Sequence, residues 1–122
     1  MLNMKSNKPI YVQIAEWIES EILSDALKKE DKVYSQYQLA ELYTINPATA
    51  AKGLSLLADE GILFKKRGLG MFVTAEAKDI ISKKRRNETV KRLIQELVTE
   101  AKRLQISEDE LIQMIKEEGF KP

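Results

Sequence analysis

Two short runs of cations, Lys65-Lys66-Arg67 and Lys83-Lys84-Arg85-Arg86, stand out in a chain of 122 residues whose charges otherwise balance, 20 Lys and Arg against 19 Asp and Glu. Clustered ammonium and guanidinium groups donate to phosphate oxygens. The first run leads into Gly68 and Gly70, where a backbone can approach a groove closely. No lysine follows these glycines at the spacing of a phosphate-binding loop. Polar side chains that could meet nucleotides also gather at two other places, Gln36-Tyr37-Gln38 and Asn46 to Lys52. The chemistry on offer is therefore noncovalent recognition. Catalysis is poorly provided for, because the chain has no histidine and no cysteine, the usual general base, nucleophile and zinc ligands. Glu16, Glu19, Asp59 and Glu60 fall in no motif spacing. No enzyme, metal site or cofactor is expected.

The elements that must carry these groups follow from apolar spacing. Ile10, Ile14, Ile18 and Ile22 recur every four residues after Pro9, with Trp17, Leu23 and Leu27 beside them, which is a helix with a core-facing stripe. Val33-Tyr34 reads as a short strand. Ser35 is an N-cap for a second, short helix with Leu39, Ala40, Leu42 and Tyr43 on its apolar face. Thr44-Ile45 makes a tight connection. Asn46-Pro47 restarts the chain as N-cap and first helical residue. The third helix runs to about Glu60, with Leu54, Leu57 and Ala58 inward and Gly61 at the left-handed position that ends helices. Ile62–Lys66 and Met71–Val73 are two strands joined by a turn at Arg67-Gly68-Leu69-Gly70. Three helices and a hairpin make the winged helix-turn-helix plan, whose second motif helix enters the major groove.

Beyond Thr74 the composition shifts. Residues 75–106 hold no glycine or proline, and Val90, Ile94, Leu97, Ala101 and Leu104 step by 4, 3, 4 and 3, a heptad-like seam. Ser107 to Glu110 is a capping box that opens a last helix with Leu111, Met114 and Ile115 on its apolar face and Gly119 at its end. The expected fold is mainly α with a small β-hairpin: a winged helix-turn-helix over residues 9–74, then a two-helix region over 75–119, a long helix turning into a short antiparallel one. One long and one short helix bury little between themselves, and exposed apolar area of that size marks an interface, so a two-fold homodimer is expected. Its contacts are Val90, Ile94, Leu97, Ala101, Leu104, Leu111, Met114 and Ile115. The run Lys83–Arg86 near the start of the long helix reads as a solvated face or as a contact to flanking DNA. No apolar run is long enough to span a membrane, and the polar start of the chain lacks the apolar stretch of a signal peptide, so the cytoplasm is the expected location and no membrane partner is expected.

Residues 9–74 resemble the GntR family of bacterial regulators, in order along the chain. Pro9 to Ala15 is similar to the family's opening helix, Leu39-Ala40-Glu41-Leu42-Tyr43 to its second helix, and Gly61-Ile62-Leu63 with Arg67 to Val73 to its wing. Asn46-Pro47-Ala48-Thr49 and the short helical tail resemble the YtrA-like branch, which carries a small two-helix dimerisation region in place of a large effector domain. The resemblance implies a transcription regulator, in most members a repressor, binding double-stranded DNA as a homodimer on a near-palindromic operator. Three positions where many members carry arginine are Tyr37, Pro47 and Ala51 here, so those arginine contacts do not transfer; Lys52 agrees with the YtrA-like pattern.

The residues expected at DNA are Gln36, Tyr37, Gln38, Asn46, Ala48, Thr49, Lys52, Lys65, Arg67 and Gly68. Thr49 has a hydroxyl for a base edge and a methyl for a thymine methyl. Lys52 reaches a phosphate or a guanine; the plainer reading of both is solvated helix surface. Asn46 is a cap first and a phosphate contact second. Gln36 to Gln38 sit where free N–H groups attract phosphate, and Tyr37 either donates its hydroxyl there or packs. Strand alternation sends Lys65 and Arg67 to one face and Lys66 to the other. The resemblance implies that Arg67 and Gly68 form the wing tip near the minor groove, against the plainer reading of a hairpin with a basic edge. A second reading of the whole domain is a winged-helix protein-interaction module without DNA binding, because residues 1–75 hold nine cations and nine anions. The sequence specifies no small-molecule effector.

Overall fold

A computed structural model describes residues 2–119. The elements run α1 (Ile10–Leu23), α2 (Gln36–Tyr43), α3 (Pro47–Asp59), β1 (Leu63–Lys66), β2 (Gly70–Val73), α4 (Ala77–Arg85), a π-helical turn (Arg86–Val90), α5 (Lys91–Arg103) and α6 (Glu108–Gly119). The chain divides into two compact units after Lys83.

Local chemistry sets the boundaries in the first unit. Pro9 precedes α1, and its carbonyl accepts from the Val12 and Gln13 N–H groups. Ser35 and Gln38 close a reciprocal capping box on α2: the Ser35 hydroxyl accepts from the Gln38 N–H at 3.0 Å, and the Gln38 Oε1 accepts from the Ser35 N–H at 2.8 Å. Asn46 Oδ1 accepts from the Ala48 N–H at 2.8 Å, with Pro47 as the first residue of α3. Gly61 takes φ +78°, and the Ile62 N–H reaches back to the Leu57 carbonyl while the Gly61 N–H reaches Ala58. Those two bonds are the Schellman arrangement, which needs a left-handed residue at that point.

These ends orient the apolar faces onto one core. Ile14, Ile18 and Ile22 of α1 meet Leu39 of α2 and Ala50, Leu54 and Leu57 of α3, closed by Ile62, Leu63 and Val73 from the hairpin. Trp17 lies 5.4 Å from the Tyr34 ring and 5.5 Å from the Tyr43 ring, centroid to centroid. The α1–α3 crossing is tight at Gly53, where a Cβ would stand 2.8 Å from the Tyr11 carbonyl oxygen. Leu42, expected on the apolar face of α2, is instead 59% exposed: Leu39, Ala40 and Tyr43 already span the inward arc, and Leu42 falls beyond its edge.

The strands pair antiparallel, Leu63 with Val73 through Lys66 with Gly70. The segment before α2 joins them through an isolated bridge, Lys32 to Phe72, and not through a strand at Val33-Tyr34. Val33 still donates to the Met71 carbonyl at 2.9 Å. The first unit extends past Thr74, the expected boundary, because Ala77 and Ile81 of α4 are buried in its core. Lys78 ties α4 to the loop after α1 through a 2.8 Å ion pair with Asp25.

In the second unit, α5 ends in another Schellman arrangement. Gln105 takes φ +59° and the Ile106 N–H reaches the Ala101 carbonyl at 2.9 Å. Ser107 caps α6 by accepting from the Glu110 N–H at 3.1 Å. Gly119 lies within α6 as its last described residue, and not beyond its end. Ala101 is buried. Val90, Ile94, Leu97, Leu104, Met114 and Ile115 are exposed, and so are Leu93 and Val98, which the heptad steps had left out, and Ile112, outside the face expected for α6. Leu111 is half-buried.

Candidate nucleic-acid interface

The outer side of the first turn of α3 stands clear of the core. Ala48 is exposed and Thr49 half-buried, whereas Ala50, Gly53, Leu54 and Leu57 point inward. Lys52 is exposed, and its ammonium rests 4.2 Å from the centre of the Tyr11 ring, a cation–π contact that ties it to α1. Asn46 is the cap of α3, so the structural reading of that residue holds, with its side-chain oxygen occupied.

Beside α3 lies a groove of about 360 Å³ between the start of α2 and the hairpin. Ala51, Leu54 and Ser55 form one wall, and Lys65, Leu69, Gly70 and Met71 the other. The segment Lys32 to Tyr37 closes its end. Of the expected residues, Gln36, Tyr37 and Lys65 meet in this groove. Tyr37 is 69% exposed, which removes the reading in which it packs. Gln38 is also exposed, but its oxygen is committed to the capping box, so its surface role is first structural.

Lys32 is the groove cation that the sequence reading missed. Its side chain crosses the hairpin at Gly70, where an added Cβ would lie 3.1 Å from Lys32 Cε. Gly70 takes φ +114°, so a side chain there is disfavoured twice over, by the backbone and by Lys32. The only sequence signal was a lysine just ahead of a helix cap, which by itself says nothing about the hairpin.

At the hairpin tip, the Leu69 N–H donates to the Lys66 carbonyl at 2.9 Å and Gly68 takes φ +78°, as a type II turn requires at its third residue. Apart from Gly68 and its chain neighbours, no atom lies within 4 Å of a Cβ placed there, so the tip is open. Arg67 and Leu69 are exposed there. Because β1 ends at Lys66, strand alternation does not extend to Arg67: Lys65 faces the groove, Lys66 lies 4.4 Å from the Phe72 ring centre, and Arg67 belongs to the turn. No cluster of three or more metal-ligating side chains occurs among the described residues, and no helix there is long and apolar enough to cross a membrane.

This arrangement has close counterparts. The model of bacterial regulatory proteins of the gntR family matches residues 10–73. The HTH-type transcriptional repressor YtrA of Bacillus subtilis is 28% identical over 116 residues, spanning 95% of this chain and 88% of that one. A GntR family transcriptional regulator from Listeria monocytogenes superposes with a TM-score of 0.76 at 29% identity, covering 93% of this chain and 98% of its own. The DNA-binding domain of AraR, solved in complex with operator ORX1, superposes with a TM-score of 0.55 at 25% identity over 61% of this chain and 92% of its own. With a winged helix-turn-helix over the matched residues, the chain belongs to the gntR family of bacterial regulatory proteins.

Proposed function

We propose that the chain is a cytoplasmic transcription regulator, a repressor, that binds a near-palindromic operator as a homodimer. The observation that carries this reading is the free outer side of the start of α3, set beside a groove with Lys32 and Lys65 on its rim and an open basic tip at Arg67. A recognition helix needs such a side to enter the major groove, with cations around it for phosphate. The relatives support it: YtrA is named a repressor, and the AraR domain is solved on operator DNA. Local cations answer the neutral balance of residues 1–75, since phosphate attraction depends on charge near the contact. Gln36, Tyr37, Lys52, Lys65, Arg67 and Gly68 then hold the backbone, and Ala48 and Thr49 face the bases, with Gln38 and Asn46 setting the helix starts.

The region beyond the winged helix supplies the second copy. Its exposed apolar side chains along α5 and α6 form a surface of the kind that is covered by association. Two copies present two α3 helices to half-sites about one or more helical turns apart.

Selection of bound fragments from a random duplex pool with the full chain, followed by titration at several salt concentrations, tests the proposal. Enrichment of an inverted repeat with affinity falling steeply as salt rises is expected. Enrichment of no sequence, or affinity indifferent to salt, overturns it in favour of a protein-interaction module. Light scattering that finds a monomer at micromolar concentration overturns the homodimer.

A further inference from the structure

The base-facing side of α3 is short and rich in methyl groups. From Pro47 to Asp59 the helix contains no Arg, Asn or Gln, the side chains whose paired groups read guanine or adenine in the major groove. Two nearby amides have their oxygens engaged, Asn46 Oδ1 in capping α3 and Gln38 Oε1 in capping α2, and Gln36 stands on α2, across the groove from α3. Lys52, the one long cation on the helix, lies on the Tyr11 ring. What the helix leaves outward is the exposed methyl of Ala48 and the half-buried methyls of Thr49 and Ala51, with the hydroxyls of Thr49 and Ser55. Ala48, Ala51 and Ser55 follow one another at helical spacing along one side, and the last two form the wall of the groove.

Thymine is distinguished in the major groove by its C5-methyl group, which apolar side chains recognise by contact. Resting on the DNA-binding reading above, we infer that α3 reads thymine methyls through Ala48, Thr49 and Ala51, so the half-site carries thymines under this helix and no guanine that the helix dictates. Short side chains also let the duplex approach α3 closely, which brings the phosphate backbone toward Lys32 and Lys65.

Deoxyuridine in place of thymine removes that methyl and leaves pairing and charge intact. With the full chain and the selected operator, replacing each thymine in turn weakens binding about fourfold for every methyl that α3 covers, and leaves binding unchanged at flanking thymines. Thr49→Ser keeps the hydroxyl and drops a methyl; it shrinks the deoxyuridine effect at one position while the others persist. Equal affinity for the normal and fully deoxyuridine-substituted operators overturns the inference and leaves the DNA-binding reading standing. So does a loss of binding with 7-deazaguanine in an operator indifferent to deoxyuridine, which assigns the reading to Lys52. Failure of the unsubstituted pool to yield any bound sequence overturns the DNA-binding reading itself.

Discussion

Gly53 offers a test in which two physical effects carry opposite signs. In the middle of a helix, Gly→Ala ordinarily stabilises by about 1 kcal/mol, since alanine has less backbone entropy to lose. At Gly53 the added methyl would stand 2.8 Å from the Tyr11 carbonyl oxygen and 3.4 Å from Ile14 Cγ2. The obstacle at the shorter distance is the backbone of α1, which cannot turn aside as the end of a side chain can. Overpacking of a well-filled core costs about 1–3 kcal/mol, and an obstacle of this kind belongs at the upper end. Setting about 3 kcal/mol of strain against about 1 kcal/mol of propensity leaves Gly53→Ala destabilised by about 2 kcal/mol. For a unit of this size that lowers the melting midpoint by about 8–16 °C. The assay is direct, because Trp17 is the only tryptophan in the chain and is packed in the first unit against Tyr34 and Tyr43, so its fluorescence follows that unit alone. A variant that melts at or above the parent temperature refutes the tight α1–α3 crossing, and with it the placement of Tyr11 beside Lys52.

Other outcomes follow from single contacts. Lys32→Gln flattens the slope of log affinity against log salt by about 0.9 for each copy that touches phosphate, whereas Lys32→Arg keeps it; an unchanged slope in the Gln variant removes Lys32 from the interface. Asn46→Ala loses the cap of α3 and about 1 kcal/mol of stability, read as a lower Trp17 melting midpoint. Leu97→Asp places a charge in the exposed apolar stripe of α5 and weakens self-association by about 2 kcal/mol or more, seen as a shift from dimer to monomer in sedimentation at an unchanged melting midpoint of the first unit. The hydrogen bond and charge of Lys78 hold the Asp25 carboxyl below its ordinary 3.8. A carboxyl lowered on folding contributes fully above its ordinary value and loses that contribution as pH falls through the lowered one. Asp25→Asn therefore loses part of the fall in stability that sets in as pH drops below about 5, and identical pH profiles for parent and variant exclude the pair.

Much of the fold was written locally. The caps at Ser35 and Asn46, the stop at Gly61 and the cap at Ser107 were legible because each depends on residues within one helical turn. The turn at Arg67–Gly70 was legible for the same reason. The end of α5 was less so: Gln105 takes a left-handed conformation where glycine is the usual signal, and only the bonds to Ala101 and Lys102 reveal it. The second unit shows the same limit, since Leu93, Val98 and Ile112 widen the apolar surface beyond a strict heptad line.

The order of residue types along the chain was enough to establish three helices and a hairpin and most of their starts and stops, and to show that the chain carries no imidazole and no thiol. Helical period, cap chemistry and turn chemistry act over a few residues, so no partner element is needed to read them. Tertiary packing alone decided that Lys32 crosses Gly70 to reach the groove, that Lys52 lies on Tyr11, that Gly53 admits α1, and that Ala77 and Ile81 belong to the first core. Each of those facts is a distance between segments far apart in sequence, and such distances arise only when apolar faces from several elements close on one another.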